Sequence, residues 1–319
     1  MTQTLAVEAT GLLKTFGDFT AVDHIDLAIK PGEVFGVLGP NGAGKTTMLK
    51  MLATLLTIDA GSARIFGVDV ARNPHRIRQL VGVTGQYASV DENLTANENL
   101  WMFARLHGQS SKQAKATAAD LLGRFGLEEA ADRQIQHFSG GMRRRLDLAA
   151  SLISRPPLIF LDEPTTGLDP RTRGQMWDTI RDLVHDGATV LLTTQYLDEA
   201  DQLAGRIAVI DRGRKIAEGT PSELKSSIGG STLHVRLADT ERTASASAVI
   251  ERVTGETPTH GPDGISVPLA DANHAADVLI GLRTANVAIA SAEVRQPTLD
   301  EVFLTITGQP RTDSELELA

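Results

Sequence analysis

The residues that most clearly indicate chemistry form a glycine-rich stretch, GPNGAGKTT at 39–47. It fits the phosphate-binding pattern of Gly, four residues and Gly-Lys-Ser/Thr. In this pattern the glycines let consecutive backbone N–H groups converge on a di- or triphosphate, and the positive end of the following helix adds to the attraction. Lys45 would reach the β- and γ-phosphates, and the Thr46 hydroxyl would ligate Mg²⁺. The predicted phosphate-binding residues are Gly39, Pro40, Asn41, Gly42, Ala43, Gly44, Lys45, Thr46 and Thr47. The alternative is a glycine-rich turn between a strand and a helix that binds no ligand.

A second stretch places two carboxylates after an apolar run, LIFL at 158–161. Phosphoryl transfer requires a Mg²⁺ ligand and a group that positions the attacking water beside the phosphates. Because ligands of parallel sheets bind at the carboxyl ends of the strands, Asp162 is predicted to hold Mg²⁺, directly or through water. Glu163 is predicted to be the base for the water. An apolar strand that ends in Asp-Glu is also a common turn, but the phosphate-binding stretch upstream disfavours that alternative.

Three further signals are weaker when taken singly. Gln86 ends another predicted strand, where it could meet the metal or the water, or could be a surface glutamine. Ser139, Gly140 and Gly141 precede a helix predicted over 143–153, and a helix N-terminus binds anions, although Ser-Gly-Gly is usually just a cap. Phe16 could stack on a purine ring or could be a small core or staple residue.

The elements that must position these residues can be predicted from the hydrophobic pattern. Residues 33–38 predict a short buried strand before the glycine-rich stretch, and residues 46–56 predict a helix after it. The apolar residues on one face of that helix are Leu49, Leu52, Leu55 and Leu56.

The pattern along the chain predicts two domains and a tail. Residues 1–228 mix strands and helices as in an α/β fold, and 88–145 within them lack strand-like runs, which predicts an inserted helical subdomain. Residues 231–308 show a β-α-β-α-β-α pattern, which predicts a small C-terminal α/β domain of ferredoxin-like type. The polar and acidic residues 309–319 predict a disordered tail.

The composition excludes several kinds of site. The chain has 319 residues, no cysteine and a formal net charge of −9. Structural disulfides, thiolate metal sites and thiol catalysis are therefore impossible. The negative charge disfavours a basic nucleic-acid-binding surface, so no nucleic acid is expected as a partner. No secretory signal and no run of about 18 apolar residues is visible, so we expect a cytoplasmic chain that does not span a membrane by itself.

In their order, these motifs resemble the nucleotide-binding domain of ABC (ATP-binding cassette) transporters. The similar segments are GPNGAGKTT at 39–47 (Walker A), Gln86 (the Q-loop glutamine), FSGGM at 138–142 (the ABC signature), LIFLDEP at 158–164 (Walker B with its catalytic glutamate) and TGLDP at 166–170 (the D-loop). A phosphate loop is shared by many NTPases, and the Ser-Gly-Gly element ahead of Asp162 makes the resemblance specific. It covers about residues 4–227 and implies a P-loop NTPase fold.

The resemblance implies that two cassettes enclose ATP. Lys45 of one cassette would hold the nucleotide together with residues 139–141 of the other, and Phe16 would stack on the adenine. Because the chain has one phosphate loop and one Ser-Gly-Gly element, it needs a second cassette, most simply a second copy in a homodimer. The helical insert and the Gln86 region would receive the coupling helix of a membrane permease, so the chain would lie at the cytoplasmic side of the cell membrane as a peripheral subunit.

Gln195 departs from the general family pattern, which usually has a histidine at this strand end. Glutamine can donate a hydrogen bond but cannot carry charge, so our hypothesis is that Glu163 remains the base and Gln195 only orients. Glutamine is usual in a narrower group, the daunorubicin-resistance-type ATP-binding subunits. This chain is similar to that group at GQYASVDENLT (85–95), GGMRRRLDLA (140–149), TTQYLDEAD (193–201) and PTLDEVFLTITG (297–308). Met142 also departs from the family's usual glutamine, beyond the serine and glycines of the signature.

The narrower resemblance implies an ATP-hydrolysing motor subunit that drives a separately encoded, polytopic permease and exports drugs, antibiotics or lipids. The C-terminal domain would help assembly with the permease or the second cassette; the alternative is a solvated appendage that only stabilises the cassette. Three competing functions are a cassette ATPase acting on ribosomes or DNA, a non-hydrolysing nucleotide-dependent switch, and a kinase with a phosphate loop. One cassette and the negative charge disfavour the first, only Gln195 favours the second, and the Ser-Gly-Gly element disfavours the third.

Overall fold

The computed structural model describes residues 4–85, 90–261, 264–269 and 273–307. Gln86 and the predicted tail at 309–319 lie outside these residues. The chain divides into two compact units, Met1–Pro221 and Ser222–Ala319. We refer to the first as the cassette and to the second as the C-terminal unit. No helix of the described residues is both long and apolar enough to cross a membrane.

The cassette combines strands and helices in alternation. Its strands are β1 (Val7–Phe16), β2 (Phe19–Ile29), β3 (Val34–Leu38), β4 (Ala60–Ile65), β5 (Val68–Asp69), β6 (Val81–Thr84), β7 (Leu158–Asp162), β8 (Thr189–Thr194), β9 (Arg206–Asp211) and β10 (Arg214–Gly219). Its helices are α1 (Lys45–Leu52), α2 (Pro74–Leu80), α3 (Ala96–Leu106), α4 (Ser111–Arg124), α5 (Gly140–Ser151), α6 (Pro170–His185) and α7 (Leu197–Leu203). Helix α8 (Pro221–Ser227) begins at the boundary between the units.

Six strands form the larger sheet of the cassette, in the order β10-β9-β3-β8-β7-β6. The five strands from β9 to β6 are parallel neighbours, and β10 is antiparallel to β9 at the edge. Every residue of β3, β7 and β8 is buried, as expected of central strands that are covered on both faces. The carboxyl ends of these three strands meet at one edge of the sheet, and β8 separates β3 from β7.

An antiparallel sheet in the order β2-β1-β4-β5 packs on the other side of α1. The turn between β9 and β10 links this sheet to the loop after β3. The N–H of Gly213 donates to the Ala43 carbonyl at 3.0 Å, and the Gly213 carbonyl accepts from the N–H of Asp23 at 2.8 Å. The hairpin predicted at Asp211-Arg212-Gly213 is therefore present, and its turn ties β2 to the glycine-rich loop through backbone atoms.

Helix α1 ends at Leu52 rather than at residue 56 as predicted. Thr54 adopts the left-handed conformation, with φ +63°, and the N–H of Leu55 donates to the Lys50 carbonyl at 2.8 Å. This is the Schellman termination, in which a glycine usually occupies the left-handed position. Because threonine gives no such signal, the sequence did not show the end of the helix. Leu55 is 59% exposed, so its predicted place on the buried face was wrong.

The predicted helical insert is present as α3, α4 and the start of α5. Thr95 and Ser110 begin α3 and α4 with capping boxes, which satisfy backbone N–H groups in each first turn. Six apolar residues of the insert are buried together: Leu100, Ala114, Ala118, Leu121, Leu122 and Phe125. Leu106, by contrast, is 75% exposed. Helix α5 begins at Gly140, not at residue 143, so the two glycines of the Ser-Gly-Gly element form its first turn.

The C-terminal unit has the β-α-β-β-α-β order of ferredoxin-like domains. Its elements after α8 are β11 (Ser231–Leu237), α9 (Thr243–Thr254), β12 (Thr259–Gly261), β13 (Gly264–Leu269), α10 (His274–Thr284), β14 (Ile289–Arg295) and α11 (Leu299–Thr307). The four strands form an antiparallel sheet in the order β12-β13-β11-β14. The sequence pattern missed β12 because its three residues are all exposed and show no apolar alternation.

Candidate functional site

The glycine-rich loop at 39–44 connects β3 to α1, and its backbone conformation and packing favour glycine at two positions. Gly42 and Gly44 have φ angles of +79° and +102°, a region that glycine adopts without steric cost. A Cβ atom on Gly44 would lie 2.1 Å from the carbonyl oxygen of Ala21 in β2. The loop therefore requires a glycine at position 44 for its own packing, in addition to any ligand that its N–H groups bind.

Lys45 is almost fully buried at the start of α1, with 4% of its side chain exposed. Its ammonium group donates to the carbonyl oxygens of Gly39 at 2.7 Å and Pro40 at 3.1 Å. It also lies 3.4 Å from Oε1 of Glu163. Burial lowers the pKa of Lys45, and the Glu163 carboxylate opposes that shift. The structure thus holds a positive charge inside the loop and beside the predicted base.

Asp162 ends β7 and is buried beneath the loop. Its Oδ1 accepts from the hydroxyl of Thr46 at 3.0 Å and from the hydroxyl of Thr193 at 2.5 Å. Two of the three predicted protein ligands of Mg²⁺, Thr46 and Asp162, are therefore in contact. Their donor atoms are a carboxylate and a hydroxyl oxygen, the kind of ligands that suit Mg²⁺.

Glu163 follows with a strained backbone. Its φ of +48° lies in the left-handed region, which costs a residue other than glycine about 1–2 kcal/mol. Its N–H donates to the Thr193 carbonyl at 3.0 Å, and the Thr166 hydroxyl donates to its Oε2 at 3.4 Å. This conformation keeps the carboxylate near Lys45 with only 11% of the side chain exposed. Strain of this kind at a reacting group is a common feature of functional sites.

Of the two glutamines predicted to be in the site, the structure describes Gln195 but not Gln86. Gln195 is half-buried directly after β8, and the preceding residue, Thr194, accepts from the Gly39 N–H at 3.3 Å. The backbone before Gln195 is thus bonded to the phosphate loop. Gln86 lies outside the described residues. Gly85, immediately before it, accepts a hydrogen bond from the guanidinium group of Arg144.

Phe16 lies at the tip of the β1–β2 hairpin, where it is paired with Phe19 across the turn. The two side chains are 49% and 61% exposed, so Phe16 is not a core residue. The ammonium group of Lys14 lies 5.5 Å from the centre of the Phe16 ring. An exposed aromatic face with a cation beside it is suited to stacking on a planar ring.

The Ser-Gly-Gly element lies apart from these residues. Ser139 caps α5 by accepting the N–H of Met142 at 3.2 Å, and both Ser139 and Gly140 are exposed. Gly140 has no neighbouring atom where a Cβ would stand, whereas Gly141 packs tightly on Thr172. Within the described part of the chain, no hydrogen bond joins this segment to the phosphate loop. The structure therefore brings the loop, Asp162 and Glu163 together and leaves the Ser-Gly-Gly element facing solvent.

Thr193 and Arg144, which were not predicted to be site residues, also bind Asp162 and Glu163. Thr193 contacts Asp162 and Glu163, and the pairing of β7 with β8 sets it directly opposite Asp162. Arg144 reaches from α5 to the backbone at the end of β7. The register of β8 would have identified Thr193. Nothing in the run of three arginines at 143–145 distinguishes Arg144 from its neighbours.

Comparison with known proteins places the chain in a family. Residues 22–166 match the family described as ABC transporter, and residues 219–307 match the ATP-binding protein DrrA1-3-like, C-terminal domain. The daunorubicin/doxorubicin resistance ATP-binding protein DrrA of Streptomyces peucetius is 52% identical over 99% of this chain and 96% of its own length. The chain belongs to the DrrA-type ATP-binding subunits of ABC transporters. The doxorubicin resistance ATP-binding protein DrrA of Mycobacterium tuberculosis (strain H37Rv) is 42% identical over 96% of this chain and 95% of its own length.

A solved structure supports the same assignment. A dimeric ATP-binding cassette in a post-hydrolysis state, bound to ADP and phosphate, is 27% identical, with a TM-score of 0.62 over 67% of this chain and 98% of that one. The predicted cassette fold and the predicted ATPase class are thus confirmed, and ATP is the nucleotide of this family.

The contacts of Gly44 lead to a first prediction. We expect Gly44→Ala to lower the free energy of unfolding of the cassette by more than about 4 kcal/mol, because the new methyl group meets a backbone oxygen that cannot move aside. Gly42→Ala is the matched control, since its φ is also positive but no atom lies within 4 Å. It should lose about 1–2 kcal/mol from the backbone alone. Urea unfolding measures both, and equal losses would show that the contact with Ala21 is unimportant.

Proposed function

We propose that the chain is the ATP-hydrolysing motor subunit of an exporter, working as a pair of cassettes on a separately encoded membrane permease. The observation that carries the proposal is the cluster in which Lys45 contacts Glu163 and Thr46 contacts Asp162. It joins a phosphate-binding cation, two oxygen ligands for a metal and a candidate base at one edge of the sheet.

ATP is the substrate, and its phosphates would bind where the loop N–H groups and Lys45 converge. Thr46 and Asp162 would hold Mg²⁺, which neutralises charge on the phosphates during transfer. Among the residues that the structure describes, no three His, Asp or Glu side chains form a metal site of their own. This agrees with Mg²⁺, which protein sites usually bind through one or two carboxylates together with substrate phosphates and water.

Glu163 is proposed as the base that accepts the proton of the attacking water at its carboxylate. Thr193 and Thr166 fix its backbone and side chain, and Lys45 holds the opposite charge beside it. Gln195 would donate a hydrogen bond that orients the reacting groups, since an amide takes no proton. Phe16 is proposed to stack on the adenine because its ring is exposed at the hairpin tip.

A second copy of the chain is proposed to complete the site. Ser139 and Gly140 are exposed at the N-terminus of α5, where backbone N–H groups favour an anion. In a symmetric pair, this end of α5 in each copy would face the nucleotide held by Lys45 of the other. The dimeric solved cassette bound to ADP and phosphate supports this arrangement.

The cargo and the membrane partner are proposed from the relatives. Their names record resistance to daunorubicin and doxorubicin, which supports export of drug-like or antibiotic molecules by a permease. Lipids are proposed from the family resemblance alone. The chain would attach to the cytoplasmic side of the membrane as a peripheral subunit. The exposed Leu106, the last residue of α3, is proposed as an apolar contact of the helical insert with the permease.

Glu163→Gln tests the assigned base. We expect kcat for ATP hydrolysis to fall at least about 100-fold, because a general base of this kind contributes that much or more. ATP affinity should stay within about threefold, since the amide is nearly the same size. Phosphate release and nucleotide binding are measured on the same preparation, with Lys45→Ala as the control that loses binding. Unchanged turnover in Glu163→Gln would remove Glu163 from this role.

Gly140→Asp tests the shared site. The new carboxylate should repel the partner's nucleotide, so ATP-dependent dimerisation in size-exclusion chromatography and turnover are expected to be lost. Binding of ATP to the monomer should persist. Gly108→Asp adds the same charge at another glycine with open space, and aspartate tolerates its φ of +83° better than most residues. Full turnover in Gly140→Asp would mean that one chain suffices.

Leu106→Asp tests the membrane partner. When the chain is co-expressed with a candidate polytopic permease, we expect the two to co-purify and the ATPase rate to respond to the permease. The substitution should abolish co-purification and leave the basal ATPase rate unchanged. Leu55→Asp, at a 59% exposed apolar residue of the cassette outside the helical insert, is the control. Co-purification with ribosomes or DNA instead would contradict the exporter assignment.

A further inference from the structure

Arg144, in the second turn of α5, binds the backbone around the proposed base. Its guanidinium group donates to four carbonyl oxygens: Nη2 to Asp162 at 2.7 Å and Glu163 at 3.0 Å, Nε to Pro164 at 3.0 Å, and Nη1 to Gly85. Three of these acceptors are consecutive residues, the last of β7 and the two that follow it, and the fourth follows β6. One side chain of α5 therefore holds the ends of two neighbouring strands.

The two adjacent arginines have different partners. Arg143 forms an ion pair with Glu92 at 2.6 Å, and Arg145 donates to the Phe125 carbonyl at 3.0 Å. Both of these contacts lie within the helical insert and its flanks. Arg144 thus serves a separate purpose from its neighbours, and Arg143 is a suitable control for it.

The chemistry of the guanidinium group suits this position. Arginine presents five N–H donors in a planar fork and stays protonated, whereas lysine offers a point charge. Burial lowers the pKa of Arg144, and the carboxylates of Asp147 and Asp162 are the first to oppose that shift. The carbonyl groups that it binds surround Glu163, whose left-handed φ of +48° needs external support. Arg144 supplies that support from one side, and Thr193 supplies it from the other.

The same helix carries the exposed Ser139 and Gly140 at its N-terminus. We propose that Arg144 is a positioning residue that fixes the turn bearing Glu163 to the helix that presents Ser139. The base of one nucleotide site and the anion-binding end offered to the other site then move as a single rigid element. This inference rests on the proposed function, because it takes Glu163 as the base and the end of α5 as the partner-facing element.

A double-mutant cycle of the full-length chain tests this role. Arg144→Ala should lower kcat about 10- to 100-fold, as expected when a reacting group shifts by about 1 Å, and leave the KM for ATP within about threefold. In the Glu163→Gln background, Arg144→Ala should lower the residual turnover by less than about threefold, because its effect passes through Glu163. A merely structural role would multiply the two losses. Arg144→Lys should recover only part of kcat, and Arg143→Ala should keep the wild-type value.

The outcomes separate this inference from the proposed function. Wild-type kcat in Arg144→Ala, multiplied losses in the double variant, or a parallel loss of ATP affinity would each overturn the positioning role while the wild-type chain still hydrolyses ATP. A wild-type chain without turnover would overturn the proposed function and this inference together. If Arg144→Ala does not fold, Arg144→Lys replaces it in the same cycle, with a smaller loss of kcat expected in the wild-type background and less additional loss in the Glu163→Gln background.

Discussion

The need to compensate buried charges determines how the parts of this site are arranged. Lys45 and Asp162 are each about 95% removed from solvent, and a charge in that position requires close partners. Loop carbonyls and Glu163 surround the ammonium group, and two hydroxyl groups bind the carboxylate. These partners come from β3, α1, β7 and β8, so none of these elements can shift without leaving a buried charge unpaired. The geometry of the nucleotide site is therefore a condition of folding as well as of catalysis.

Much of the site could be predicted because its main residues lie in short, contiguous sequence motifs. A glycine pattern between a strand and a helix indicates a phosphate loop. An apolar strand followed by two carboxylates, Asp162 and Glu163, indicates the metal ligand and the base on the opposite side of the nucleotide site. The order of the strands is not local. The position of β8 between β3 and β7, which brings Thr193 to Asp162, depends on pairings that no single segment encodes. The role of Arg144 depends on which face of α5 points toward β7. Because residues 143–145 are all arginine, the sequence does not show which of them points there.

The ends of helices were harder to predict because backbone contacts can outweigh the preference of the local side chain. Thr54 ends α1 in a conformation that usually needs glycine, so the backbone contacts of the turn outweigh the preference of its side chain. Exposure excludes a core position for Phe16, but it does not distinguish between the two interpretations of Ser139. A serine cap satisfies one N–H in the first turn of α5, and the remaining N–H groups of that turn can still bind an anion. Capping and anion binding are compatible at the same residue.

The turn at Gly213 has a consequence for how such chains can diverge. It connects β2 to the phosphate loop through its own N–H and carbonyl groups, without any functional side chain. Both central residues of the turn are left-handed, with φ +46° at Arg212 and +80° at Gly213, and Gly213 also packs against the backbone at Ala21. The turn therefore favours residues that tolerate a positive φ, such as glycine, asparagine and aspartate. One inserted residue would carry Gly213 away from both partners. An ordinary surface hairpin is thus closed to insertion, and among distant homologues it should be recognised by its spacing from the preceding strand together with residues that adopt a positive φ.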